Sequence, residues 1–232
     1  MANFVDTNIV VARLLETDPN HELVDKFSQT HRMIVTDAIY QELRQTFYEK
    51  AFSALTKLKK AMSKANKMKF ESEEEEIKTI RELTLQICRE TEPQILNFCE
   101  YIVDVAERKG LLLIRKRVNL LKEMNDFIIE QMAKIDRFVG NITKIDFQKE
   151  ELESAIDIYD EVRAKFKDDY DALIFSEAVM FSSKTDEPCT LYTLDKNFAK
   201  TAQKVLEELK AENPEIKLRV VYLADEIEKR DE

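Results

Sequence analysis

The chain has 232 residues, 44% of them hydrophobic and 35% charged, which suits one large core, or one core carrying a substantial insertion, under a heavily charged surface. A formal net charge of −10 weighs against a protein that coats nucleic acid, but not against one that gathers carboxylates in a single cleft. Two glycines and four prolines exclude collagen-like, linker-rich and many-turned β architectures, and leave no glycine-rich loop for ATP- or NAD-type phosphates.

Cys88, Cys99 and Cys189 are odd in number and lack CxxC spacing, so they read as free buried thiols. His21 and His31 are too few and too badly placed for a histidine metal site, so any metal would be held by oxygen. The apolar runs near the N-terminus are shorter than a membrane span and follow no basic segment, and the expected location is cytoplasmic, with no membrane partner.

In chain order, the first element is the strand Asn3–Asp6, inside "FVDTNIVV". Asp6 interrupts an apolar run, and a buried carboxylate costs several kcal/mol unless something pairs with it. A second strand is predicted at Met33–Thr36, a third at Cys189–Leu194 and a fourth at Leu218–Leu223. All are short and rich in Val, Ile, Leu and Tyr. Helical patterns lie between them, which predicts an α/β fold with a parallel β-sheet flanked by helices.

From about Gln41 to Lys167 the sequence reads almost wholly as helix, for example through Leu120, Met124, Phe127, Ile128, Met132 and Ile135. Gly110 and Gly140 are natural breaks, and Asp146 is a candidate N-cap for a fresh helix. The predicted organisation is a core in two parts, 1–50 and 141–232, around an α-helical insertion at 51–140. A run of lysines from Lys57 to Lys69 precedes Glu71 and Glu73 to Glu76. It reads first as two solvated helix faces at a corner, and second as a basic ridge for phosphates.

Ligands of open parallel sheets bind beyond the carboxyl ends of the strands. Asp6 and Asp195 each end a predicted strand, Glu42 follows the second strand by about two helical turns, and Asp171 opens an apolar helix. Two carboxylates ~4 Å apart repel by about 1 kcal/mol even in bulk water, so four together take up protons or bind a hard cation such as Mg²⁺ or Mn²⁺. Singly, Asp6, Asp168 or Asp171 could cap a helix, and Glu42 and Asp195 could be surface acids.

As an ordered set, "FVDTNIVV", "IVTDAIYQEL", "DALIFSEAVMF" and "LYTLDKNF" resemble the PIN-domain family of metal-dependent ribonucleases, which includes many toxin–antitoxin toxins. The resemblance covers about residues 1–50 and 141–225. It implies that Asp6, Glu42, Asp171 and Asp195 hold Mg²⁺ or Mn²⁺ and carry catalysis. Thr7 and Asn8 would organise the first loop, Asp168 would be an auxiliary acid, and Asn197 stands where some members carry a further acid. It further implies an RNA substrate, a homodimer, and an inhibitory or guiding protein partner. The helical insertion exceeds the compact family pattern. A non-catalytic scaffold that binds RNA or protein through that insertion is the rival expectation, and a flap-DNA nuclease the third.

Overall fold

The computed structural model describes residues 1–141, 143–145 and 147–228. These residues divide into two compact units. The first holds Met1–Arg13, Glu22–Leu43 and Arg137–Glu232, and the second Leu14–His21 and Arg44–Asp136.

The first unit is an α/β fold around five parallel strands: β1 Ala2–Val5, β2 Met33–Thr36, β3 Thr143–Ile145, β4 Cys189–Thr193 and β5 Leu218–Tyr222. Their order across the sheet is β3-β2-β1-β4-β5. The strand order therefore reverses between β1 and β4, which is where parallel sheets of this kind open a crevice for ligands. The helices are α1 Thr7–Leu14, α2 His21–Thr30, α3 Asp37–Ala65, α4 Glu73–Thr91, α5 Leu96–Arg108, α6 Arg117–Asn141, α7 Lys149–Val162, α8 Asp169–Lys184, α9 Lys196–Glu212 and α10 Leu223–Glu228. Among the described residues none of them is long and apolar enough to cross a membrane.

β1 and β4 are buried at every position, as the central strands of a sheet covered on both faces must be. In register Phe4 pairs with Leu191 and Val5 with Tyr192, so Phe4 and Tyr192 point to opposite faces. Phe4 meets Phe181 of α8 edge-on, with ring centroids 5.2 Å apart. Tyr192 meets Phe27 of α2 at 4.7 Å, so each face has its own helix and aromatic contact. Such a pair adds about 0.5–1.5 kcal/mol beyond the area it buries. On the α8 side, Phe147, Ala155 and Met180 form a further apolar cluster with Ile145, Ile158 and Phe181.

Three details differ from the sequence expectation. β3 was read as helix or connection. It has only three residues, too few to display a strand's alternation, and it pairs along one side alone, with β2. The strands expected at Asn3–Asp6, Cys189–Leu194 and Leu218–Leu223 each stop one residue earlier. At Asp6 the reason is visible: its N–H still bonds Tyr192 in the sheet at 2.9 Å, while its carbonyl already accepts from Ile9 and starts α1. Helix α6 runs through Gly140 and ends at Asn141. Asp146 lies outside the described residues, and the N-cap of α7 is Gln148, whose N–H donates to Glu151.

The second unit is helical, built from the later part of α3, all of α4 and α5, and most of α6. Leu120, Met124, Ile128 and Ile135 are buried, at the spacing expected of a packed helix face. Lys57, within the lysine run, is not on a solvated ridge. It is buried and pairs with Glu92 at 2.7 Å, beside Ser53. The following acids begin α4, where Ser72 accepts from the Glu75 N–H at 3.2 Å and negative charge complements the helix N-terminus.

Candidate metal and active site

Asp6 follows β1 directly and is 4% exposed. The next two residues and the neighbouring strand explain how a carboxylate survives there. Oδ1 accepts the Thr7 N–H at 2.6 Å, and Oδ2 accepts from Asn8 Nδ2 and from the Thr193 hydroxyl, both at 2.7 Å. Asn8 also accepts the Leu194 N–H through Oδ1 at 3.0 Å, and Thr193 accepts the Asp195 N–H at 2.9 Å. The loops after β1 and β4 are therefore tied together across the point where strand order reverses. Even so, burial pushes the Asp6 carboxyl up to about 6. The bonds from Thr193, Thr7 and Asn8 work against that rise, and the charge of Asp195 adds to it.

Thr7 is buried and its hydroxyl donates to Glu42 Oε2, so the same short loop also positions the acid on α3. Asp195 is exposed and caps α9: its Oδ1 accepts from the N–H groups of Asn197 at 2.7 Å and Phe198 at 3.0 Å. Asp168 caps α8 in the same way, accepting from Tyr170 N–H at 2.8 Å. Capping thus accounts for Asp168 and for one oxygen of Asp195. It does not account for Asp171, which lies inside the first turn of α8 and is half-buried.

The electrostatics of Asp171 bring the set together. Its carboxyl is pushed up to about 7, first by burial and then by the charges of Asp6, Asp168, Glu42 and Asp195. The other three sequence-selected acids thus all act on Asp171, and Asp195 also acts on Asp6, at the reversal point of the sheet. Their donors are all oxygen, which suits a hard divalent cation rather than a soft one. Among the described residues, however, no three His, Cys, Asp or Glu side chains stand as a ready-made metal cage. Asp6 and Glu42 are held by protein donors, and neighbouring carboxylates repel one another. In charge and donor type the acids fit a cation that would draw them together. Asn197 is exposed, and it is its backbone N–H that reaches Asp195, at 2.7 Å.

Glu177 was not among the residues singled out. It is 3% exposed on α8 and accepts from the Thr36 hydroxyl and the Ala38 N–H, at the junction of β2 with α3. Its Oε2 has no partner, and burial pushes its carboxyl up to about 7. The signal for it was present: Glu177 interrupts the apolar run of "DALIFSEAVMF" just as Asp6 interrupts "FVDTNIVV". Its position makes it a positioning residue for the start of α3, five residues before Glu42.

Compared with protein-family models, with curated proteins and with solved structures, the chain matches none.

Proposed function

We propose that the chain is a metal-dependent endoribonuclease of the PIN-domain type, hydrolysing RNA phosphodiester bonds at Asp6, Glu42, Asp171 and Asp195. One observation carries the reading: at the reversal point of a parallel sheet, the half-buried Asp171 carboxyl is raised first by burial and then by the charges of Asp6, Asp168, Glu42 and Asp195. Acids so concentrated repel one another at a cost to stability, and a divalent cation relieves that cost.

Bound there, Mg²⁺ or Mn²⁺ would supply an activated water and neutralise charge on the phosphate. The chain's own residues have separate tasks. Thr7, Asn8 and Thr193 fix the Asp6 carboxylate, and Thr7 also fixes Glu42. Asp195 uses one oxygen to cap α9, which leaves the other for a ligand. Asp171 brings charge from the opposite element, α8. No side-chain nucleophile is needed. The 51–140 helices, a second copy of the chain, or an inhibitory or guiding protein would bear on which RNA is cut and when.

A non-catalytic scaffold is the second reading, favoured by the three hydrogen bonds that already satisfy Asp6. Incubation of end-labelled mixed RNA with Mn²⁺, Mg²⁺ or EDTA separates the two. The nuclease reading predicts metal-dependent cutting that is lost in folded Asp6→Asn and Asp171→Asn variants. Equal trace cutting by wild type and variants would leave the scaffold, and a parallel flap-DNA substrate tests whether the strand cut is DNA instead.

A further inference from the structure

The second unit carries a cavity of about 400 Å³, lined in part by Tyr101, Arg108, Lys109, Phe127, Gln131 and Lys134. It lies wholly within that unit, among residues the nuclease reading does not use. Arg108 and Lys109 stand at the C-terminal end of α5, where cations offset the helix dipole, and that alone would explain them.

It does not explain Gln131. This side chain is 9% exposed, lines the cavity, and its Nε2 has no hydrogen-bond partner. A buried donor left unpaired costs roughly 1–3 kcal/mol; the Nε2 atom itself is closed to solvent, and a turn of the Gln131 side chain toward the cavity it lines would let a ligand's acceptor remove that cost. Beside it, Tyr101 and Phe127 lie with ring centroids 5.9 Å apart, and Lys109 Nζ is 5.8 Å from the centre of the Phe127 ring. Burial pushes the Tyr101 hydroxyl up to about 12, so it stays a neutral donor. An adjoining cavity of about 360 Å³ shares Glu16, Tyr101 and Arg108, and adds the carboxylates of Asp104 and Glu107.

We propose that this cavity binds a nucleotide: phosphate at Arg108, Lys109 and Lys134, the base against Tyr101 and Phe127 with an acceptor for Gln131, and sugar hydroxyls toward the carboxylates. Cations alone would suit any anion. The paired rings and the orphaned amide select a flat, hydrogen-bonding one. The volume falls within the usual range for small-ligand sites, about 300–1,000 Å³. Phosphate is held by side chains, which fits a chain without a glycine-rich loop. The inference does not rest on the nuclease reading.

Calorimetric titration tests it, with AMP, GMP, CMP, UMP and inorganic phosphate as separate titrants against the full chain. The variants are Arg108→Ala with Lys109→Ala, Gln131→Met, and Asp171→Asn, each checked for folding by circular dichroism. At least one mononucleotide should bind saturably, more tightly than phosphate, and about tenfold or more weaker in the Arg108/Lys109 double variant. Gln131→Met should weaken the preferred base while leaving phosphate unchanged, and Asp171→Asn, in the other unit, should leave the affinity for the mononucleotide as in the wild type. A 5′-phosphorylated RNA oligomer that competes with the mononucleotide identifies the ligand as one unit of an RNA strand. An oligomer that fails to compete identifies it as a free nucleotide. Silence of all four mononucleotides up to about 5 mM overturns the proposal. So does binding indifferent to the Arg108/Lys109 change, binding lost in Asp171→Asn, or phosphate binding as tightly as any nucleotide.

Discussion

Asp6 and Glu177 show two ways of keeping a carboxyl group inside the same α/β unit. Asp6 collects three donors, and Glu177 has donors on one side while its Oε2 goes without. Thr193→Val removes one Asp6 donor at nearly constant shape. Urea unfolding should show a loss of about 1–3 kcal/mol, larger than for a typical surface threonine. Glu177 makes a prediction in pH. Its folded value is raised to about 7 from 4.5, so between those values the native chain holds a proton that the unfolded chain has released. Its contribution to stability therefore falls as pH rises through that window, and is flat above it. The Glu177→Gln variant removes this slope. Relative to wild type it should gain on the order of 3 kcal/mol between about pH 5 and about pH 8. Parallel wild-type and variant curves would mean that Glu177 carries no such proton.

At the scale of elements, α8 and α9 each begin with a capping aspartate, and in the proposed site the α9 cap would also hold the cation. Asp195→Asn keeps a good N-cap but removes the charge, whereas Asp195→Ala removes both. The alanine variant should lose about 1 kcal/mol in a denaturant titration while the asparagine variant stays near wild type, and both should lose metal-dependent activity. Strands β1, β2, β4 and β5 were legible because each is a short apolar run bounded by helical pattern. β3 was not, because three residues carry no periodicity, and its pairing with β2 is a long-range fact. The ends of strands were blurred by residues such as Asp6 that belong to a strand through N–H and to a helix through C=O. Of the candidate site, the placement of Asp6 and Asp195 after strands and of Asp171 at a helix start was legible in the sequence, as was Glu42 shortly after β2. The ties from Thr193, made across strands β1 and β4, depend on register and could not be read along the chain.

At the scale of the whole molecule, a chain of net charge −10 folds with several acids gathered at one end of its sheet. That arrangement carries a standing electrostatic cost, and a ligand of opposite charge that binds only the native state would convert it into stabilisation. The sheet supplies the position, since its strand order reverses between β1 and β4, where Asp6 and Asp195 emerge. The most direct measurement is a calorimetric titration of Mn²⁺ into the metal-free chain, repeated with Asp6→Asn and Asp171→Asn. The account predicts saturable binding in the wild type that weakens by about tenfold or more in each variant. Wild-type protein that takes up no Mn²⁺, or variants that bind it as well as wild type, would contradict the assignment of these acids to one cation.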